Sequence, residues 1–130
     1  ISNSIKKKTK ILGVSVLTSL NSNQTKKYYN QKNVSKLVRK FAKAAKLNKL
    51  DGIVCSPKEI KFVRKEVGKD FIIVTPGIRI DKKVKSDDQK RIETPKKAIE
   101  SGADYLVIGR PITESKDPLK VLKEINKTLS

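Results

Sequence analysis

Four short segments constrain this chain more than anything else in it. Residues 11–18, 52–56, 71–75 and 105–109 are rich in β-branched side chains and nearly continuous in apolarity rather than alternating. A strand with one wet face alternates, whereas a strand covered on both faces does not. Each segment therefore reads as a buried parallel strand.

Helical patterns lie between and after them. Val34, Leu37, Val38, Phe41, Ala42 and Ala45 keep the rhythm of an amphipathic helix. The next helix is expected to open at Ser56-Pro57-Lys58-Glu59, with Ser56 as N-cap, Pro57 at the first helical position and Glu59 completing a capping box. Ile60, Val63 and Val67 would form its inner face and Gly68 its stop. Thr94-Pro95 starts a third helix, which Ser101-Gly102 ends. Asp117-Pro118 starts a fourth, with Leu119, Val121, Leu122, Ile125 and Leu129 as its apolar positions. Strand followed by helix, four times and without a linker, predicts an α/β fold of right-handed βαβ units on a parallel sheet. The longest irregular stretch, residues 76–93, is of a length that is usually functional or disordered.

Composition removes several chemistries. The chain has 130 residues, no His, no Met, no Trp and one Cys. Without His there is no Ser-His-Asp triad, no imidazole-paired thiol and no imidazole metal ligand. One Cys allows no internal disulfide, and Cys55 reads as a small buried residue at a strand end. No apolar run approaches a membrane span, and residues 1–10 lack the apolar core of a signal peptide.

The formal charge of +18 invites a nucleic-acid module. Its distribution argues against one. Only five of the 31 basic residues are arginines, the lysines are scattered, and aromatic residues at 5% do not interleave with basic clusters as a stacking platform requires. Solvated surface lysines explain the charge. Arginine in such a chain marks sites that want a planar two-pronged donor, and Arg79 and Arg110 both fall just after expected strands.

Polar residues gather at the strand ends, where β/α barrels hold phosphate with the loops after their last strands. Thr18-Ser19 follows the first strand, Thr75-Pro76-Gly77-Ile78-Arg79 the third and Gly109-Arg110-Pro111-Ile112-Thr113 the fourth. At Gly109 the backbone can approach an anion closely, and Arg110 can add a charge-assisted pair of bonds.

These segments carry a resemblance. Val16-Leu17-Thr18-Ser19, Leu50-Asp51-Gly52-Ile53-Val54-Cys55-Ser56, Val74-Thr75-Pro76-Gly77-Ile78-Arg79, Asp88-Gln89-Lys90-Arg91-Ile92 and the run from Gly102 through Gly109-Arg110-Pro111-Ile112 resemble, in order and spacing, the C-terminal half of bacterial orotidine 5′-phosphate decarboxylase. The resemblance implies a (β/α)8 barrel that forms homodimers in the cytoplasm and uses no cofactor or metal. It implies removal of CO2 from orotidine 5′-monophosphate to give UMP, in pyrimidine biosynthesis. It places Arg79, Gln89, Gly109 and Arg110 among the substrate-binding positions, with Gln89 and Arg110 at the phosphate, and Thr18 nearer the base. Residues 76–93 match the lid over the nucleotide. No nucleic-acid or membrane partner is implied.

The family's reaction centre, a D-x-K-x-x-D-I segment, has no counterpart here. Asp81-Lys82-Lys83-Val84 lies in the loop rather than at a strand end and is not that motif. A barrel of this kind takes about 250 residues. Residues 1–130 are therefore expected to be the C-terminal half of one barrel domain, with four βα units, no catalytic residue, and no activity alone. The absence of methionine agrees with a piece of a longer protein. The rival readings are a sugar-phosphate decarboxylase of the same superfamily and a basic nucleic-acid-binding module.

Overall fold

The computed structural model describes residues 9–80 and 92–129. In chain order the elements are β1 (Leu12–Val14), α1 (Ser22–Tyr29), α2 (Val34–Leu47), β2 (Gly52–Val54), α3 (Ile60–Val67), β3 (Ile72–Thr75), α4 (Pro95–Glu100), β4 (Tyr105–Leu106), α5 (Arg110–Thr113) and α6 (Pro118–Leu129). The strands form one sheet in the order β1-β2-β3-β4, every pair parallel. The expected α/β alternation is present, with α1 and α5 as additional helices. The strands are shorter than the apolar segments. Single bonds such as Ser15 N–H to the Val54 carbonyl (3.0 Å) and Val107 N–H to the Thr75 carbonyl (2.9 Å) carry the ladder one step past the strand ends.

One face of the sheet is packed. Ile53 and Ile73, paired across β2 and β3, meet Leu37, Val38, Ala42 and Ala45 of α2 and Ile60, Val63 and Val67 of α3 in one buried cluster. Gly52 is required by its close neighbours on β1 and β3. A Cβ there would fall on the Ile72 carbonyl and 2.7 Å from Leu12 Cδ2. The other face differs from the expectation of strands covered on both sides. Val14, Val54, Val74 and Tyr105 are register partners in one row, and Val14 and Tyr105 are 62% and 61% exposed. Among the described residues no helix covers that row. The apolar face expected on α6 is also only partly used. Ile125 is buried, whereas Leu119, Leu122 and Leu129 are exposed, because α6 packs on α4 and α5.

The helix starts are mostly local chemistry. Asn21 and Gln24 form a capping box on α1, and Asn33 caps α2 through Lys36 N–H. Asp117 Oδ1 accepts from Lys120 N–H at 2.9 Å, and Pro95 stands at the first turn of α4. The start expected at Ser56 is different. Residues 56–59 form a turn and α3 begins at Ile60. The Glu59 carboxylate accepts from Ser56 N–H at 3.0 Å, but Glu59 N–H donates to the Ser56 carbonyl, so the serine hydroxyl does not cap.

At the N-terminal ends of the strands, aspartates and one arginine hold the register. Asp51 Oδ2 accepts from Ile11 N–H at 2.8 Å, just before β1, and Lys10 reaches Oδ1 at 3.2 Å. Asp104 Oδ2 accepts from Ile73 N–H of β3 at 2.7 Å. The Arg64 guanidinium donates to the carbonyls of Gly68, Lys69, Phe71 and Gly102 and to Asp104 Oδ2 at 2.6 Å. Charge-assisted bonds contribute about 1.5–3 kcal/mol each when their loss strands a partner. Replacing Arg64 by Ala should therefore destabilise the chain by about 3 kcal/mol in urea titrations. Arg64→Lys should not restore the loss, because an ammonium lacks the fork.

Asp51 titrates below its ordinary value of 3.8, first through the Ile11 N–H bond and then through Lys10. A lowered folded pKa gives stability that is present above the unfolded pKa and fades as the pH falls through the folded value. The advantage of wild type over Asp51→Asn should accordingly be full near neutrality. It should shrink once the pH drops below about 4, as read by denaturation across a pH series.

Candidate functional site

Parallel strands put all four C-terminal ends on one rim, and three of the expected residues hang from it at equal distance. Thr18, Arg79 and Arg110 each lie four residues past the last residue of their strand, after β1, β3 and β4. Since β3 and β4 are neighbours, Arg79 and the Gly109-Arg110 step leave adjacent strand ends. Thr18 stands at the far end, three strand spacings or about 14 Å along the sheet.

Each residue is set locally. Thr18 and Ser19 are the middle of a turn closed by Leu20 N–H on the Leu17 carbonyl at 3.0 Å, and Thr18 is buried. Arg79 is 6% exposed, and its Nη1 donates to the Ile78 carbonyl at 2.9 Å. Its backbone N–H donates to the Glu93 carbonyl at 3.0 Å, and Glu93 N–H donates to the Gly77 carbonyl at 3.3 Å. These bonds and the parallel bridge Ile78↔Glu93 fasten the two stems of the expected lid. Gly77, at φ 78°, occupies the left-handed region that favours glycine. The rest of that loop, with Gln89, lies outside the described residues.

Gly109 precedes the one-turn helix α5, whose residues Ile112 and Thr113 donate back to its carbonyl at 2.8 and 3.1 Å. A Cβ added to Gly109 would meet nothing within 4 Å. Its own fold therefore does not require a glycine there. Gly109 and Arg110 are both exposed, and an exposed backbone beside a guanidinium suits an arriving anion.

The expectation for charge agrees with the structure, since every described lysine is exposed. Cys55 is a buried thiol, as its position at a strand end suggested. Among the described residues no group of three or more His, Cys, Asp or Glu is placed to hold a metal ion, and no helix is long and apolar enough to cross a membrane. Among the described residues, the Arg79 and Arg110 side chains and the Gly109 amide are hydrogen-bond donors of the kind an anion takes. Two further hydroxyls were expected only as a helix cap and as part of a polar strand end, not as binding groups. Ser56 Oγ and Thr75 Oγ1, at the ends of β2 and β3, are buried without a hydrogen-bond partner. Ser56 was hidden by its likeness to a helix cap.

Comparison with known proteins places this rim in context. The sequence profile of the orotidine 5′-phosphate decarboxylase / HUMPS family matches residues 2–125. An orotidine 5′-phosphate decarboxylase of Coxiella burnetii is 47% identical over 125 residues, 96% of this chain and 52% of that protein. The Neisseria meningitidis enzyme of the same name is 44% identical over 117 residues, 90% of this chain and 48% of that protein. The crystal structure of the Lactobacillus acidophilus enzyme superposes with a TM-score of 0.76 at 36% identity, over 93% of this chain and 49% of that one. The chain thus spans about half the length of the curated relatives it matches. With a family profile running through nearly all of it and the fold shared, this chain belongs to the orotidine 5′-phosphate decarboxylase / HUMPS family.

Proposed function

We propose that residues 1–130 are the C-terminal half of a bacterial orotidine 5′-monophosphate decarboxylase barrel, the half that grips the nucleotide. The observation that carries this reading is the 47% identity, across 96% of the chain, to a protein bearing that activity in its name. The second name of the family, HUMPS, leaves a sugar-phosphate reaction open at the level of the profile. Two relatives at 44–47% identity named for the decarboxylase, together with the Asp88-Gln89 pair in the loop, favour the nucleotide.

On this reading the complete protein is a cytoplasmic homodimeric carbon–carbon lyase, converting orotidine 5′-monophosphate to UMP and CO2 without cofactor or metal. The reacting acid and base groups belong to the other half of the barrel. This half supplies substrate grip: Gln89, Arg110 and the Gly109 amide at the phosphate, Arg79 as a further substrate-binding position, and Thr18 towards the base. Phosphate is remote from the carbon that loses CO2. Its binding energy can drive closure of the loop over the base and exclude water there. The bonds between residues 77–79 and Glu93 fasten the two ends of that loop together.

In the complete protein, Arg110→Ala should lower kcat/KM by about 2–3 kcal/mol, the range of a charged hydrogen-bonded pair. Gly109→Ala should leave the thermal midpoint unchanged, since the added methyl meets no protein atom, yet weaken UMP binding. Unchanged kcat/KM in the Arg110 variant would remove the basis of the assignment. The 130-residue chain alone should release no CO2 from orotidine 5′-monophosphate, and turnover by it would contradict the division of labour between the halves.

A further inference from the structure

We infer that Ser56 is a further ligand-contacting residue, its hydroxyl holding an uncharged polar atom of the nucleotide's base or sugar; this rests on the nucleotide-site reading above. The rim residues named so far come from the ends of β1, β3 and β4, and β2 contributes none. Ser56, two residues past β2, occupies that gap.

Its side chain has no structural employment. Ser56 is 0% exposed and its Oγ has no hydrogen-bond partner. Buried hydroxyls are nearly always bonded, and leaving one unbonded is unfavourable. The ordinary reason for serine before a helix is capping. Here Glu59 N–H, the donor a cap would accept from, is spent on the Ser56 carbonyl. The Glu59 carboxylate meanwhile holds Ser56 N–H at 3.0 Å, which fixes the backbone that carries the hydroxyl. Thr75 Oγ1 is equally unbonded, but Thr75 alternates with Ile73 on the helix-packed side of β3 and is not assigned to the ligand.

Position selects the kind of atom. In the sheet β2 lies between the strands of Thr18 and Arg79 and two strands away from that of Arg110. The phosphate belongs to the Arg110 end, so Ser56 meets the neutral part of the nucleotide. A hydroxyl gives one bond and accepts two, which suits a ring carbonyl, a ring N–H or a sugar hydroxyl.

The test is calorimetric titration of the complete protein with UMP and, separately, with inorganic phosphate, for wild type, Ser56→Ala, Ser56→Cys and Arg110→Ala. We expect both Ser56 variants to bind UMP about tenfold more weakly, the loss of one neutral hydrogen bond, and to bind phosphate as wild type does. Their thermal midpoints should be unchanged or higher, because an unbonded buried hydroxyl has been removed. Arg110→Ala should weaken both ligands. Wild-type UMP affinity in the Ser56 variants would overturn the inference, as would equal weakening of both ligands together with a lowered thermal midpoint, the pattern of a structural serine. If the alanine variant does not fold, the nearly isosteric cysteine variant decides alone. A wild-type protein that binds phosphate but not UMP would overturn the nucleotide reading itself.

Discussion

One guanidinium fastens parts of this chain that the sheet alone would leave loose. Arg64 projects from α3 and bonds the turn after its own helix, the entry to β3 and the turn before β4, while sharing Asp104 with the Ile73 amide of β3. A parallel sheet has no hairpin turn to set its register, so the register must be fixed at the strand entries. Asp104 with Arg64 does this between β3 and β4, and Asp51 does it beside β1. The placement of Arg79 and Arg110 at the opposite ends of β3 and β4 depends on these fastenings.

The fold was legible because the burial that drives it recurs at regular spacing along the chain. Parallel strands and the faces of α2 and α3 announce themselves as runs and stripes, and the buried residues on α3 are the three that the stripe names. What was not legible depended on long-range partners. Nothing local distinguishes Arg64, with its five long-range or looped acceptors, from Arg39, which lies exposed over the Phe62 ring with its charge on Glu66. The α6 pattern named five apolar positions, but which of them are buried is decided by α4 and α5. At Ser56 a local rule gave the wrong partner because a carbonyl intercepted the amide that the hydroxyl was expected to take.

The candidate site was legible for a different reason. In a parallel sheet all strand exits lie on one side, so a polar residue just past an apolar run is placed at the rim by topology before any coordinates exist. Thr18, Arg79, Gly109 and Arg110 follow from that rule. Their surroundings do not. Arg79 is buried with a carbonyl at its guanidinium, whereas Arg110 lies open to solvent. The same residue type thus occupies an enclosed and an accessible setting on adjacent strands.

The row of Val14, Val54, Val74 and Tyr105, which no described helix covers and whose two outer members are exposed, stands on a chain of charge +18 whose described lysines are all exposed. Like molecules bearing such a row attract at contact and repel at a distance. The repulsion reaches only about 10 Å at 0.1 M ionic strength and about 3 Å at 1 M. For residues 1–130 taken alone, electrolyte then becomes the control on association: dilute buffer should hold copies apart, and added salt should let one uncovered row meet the next.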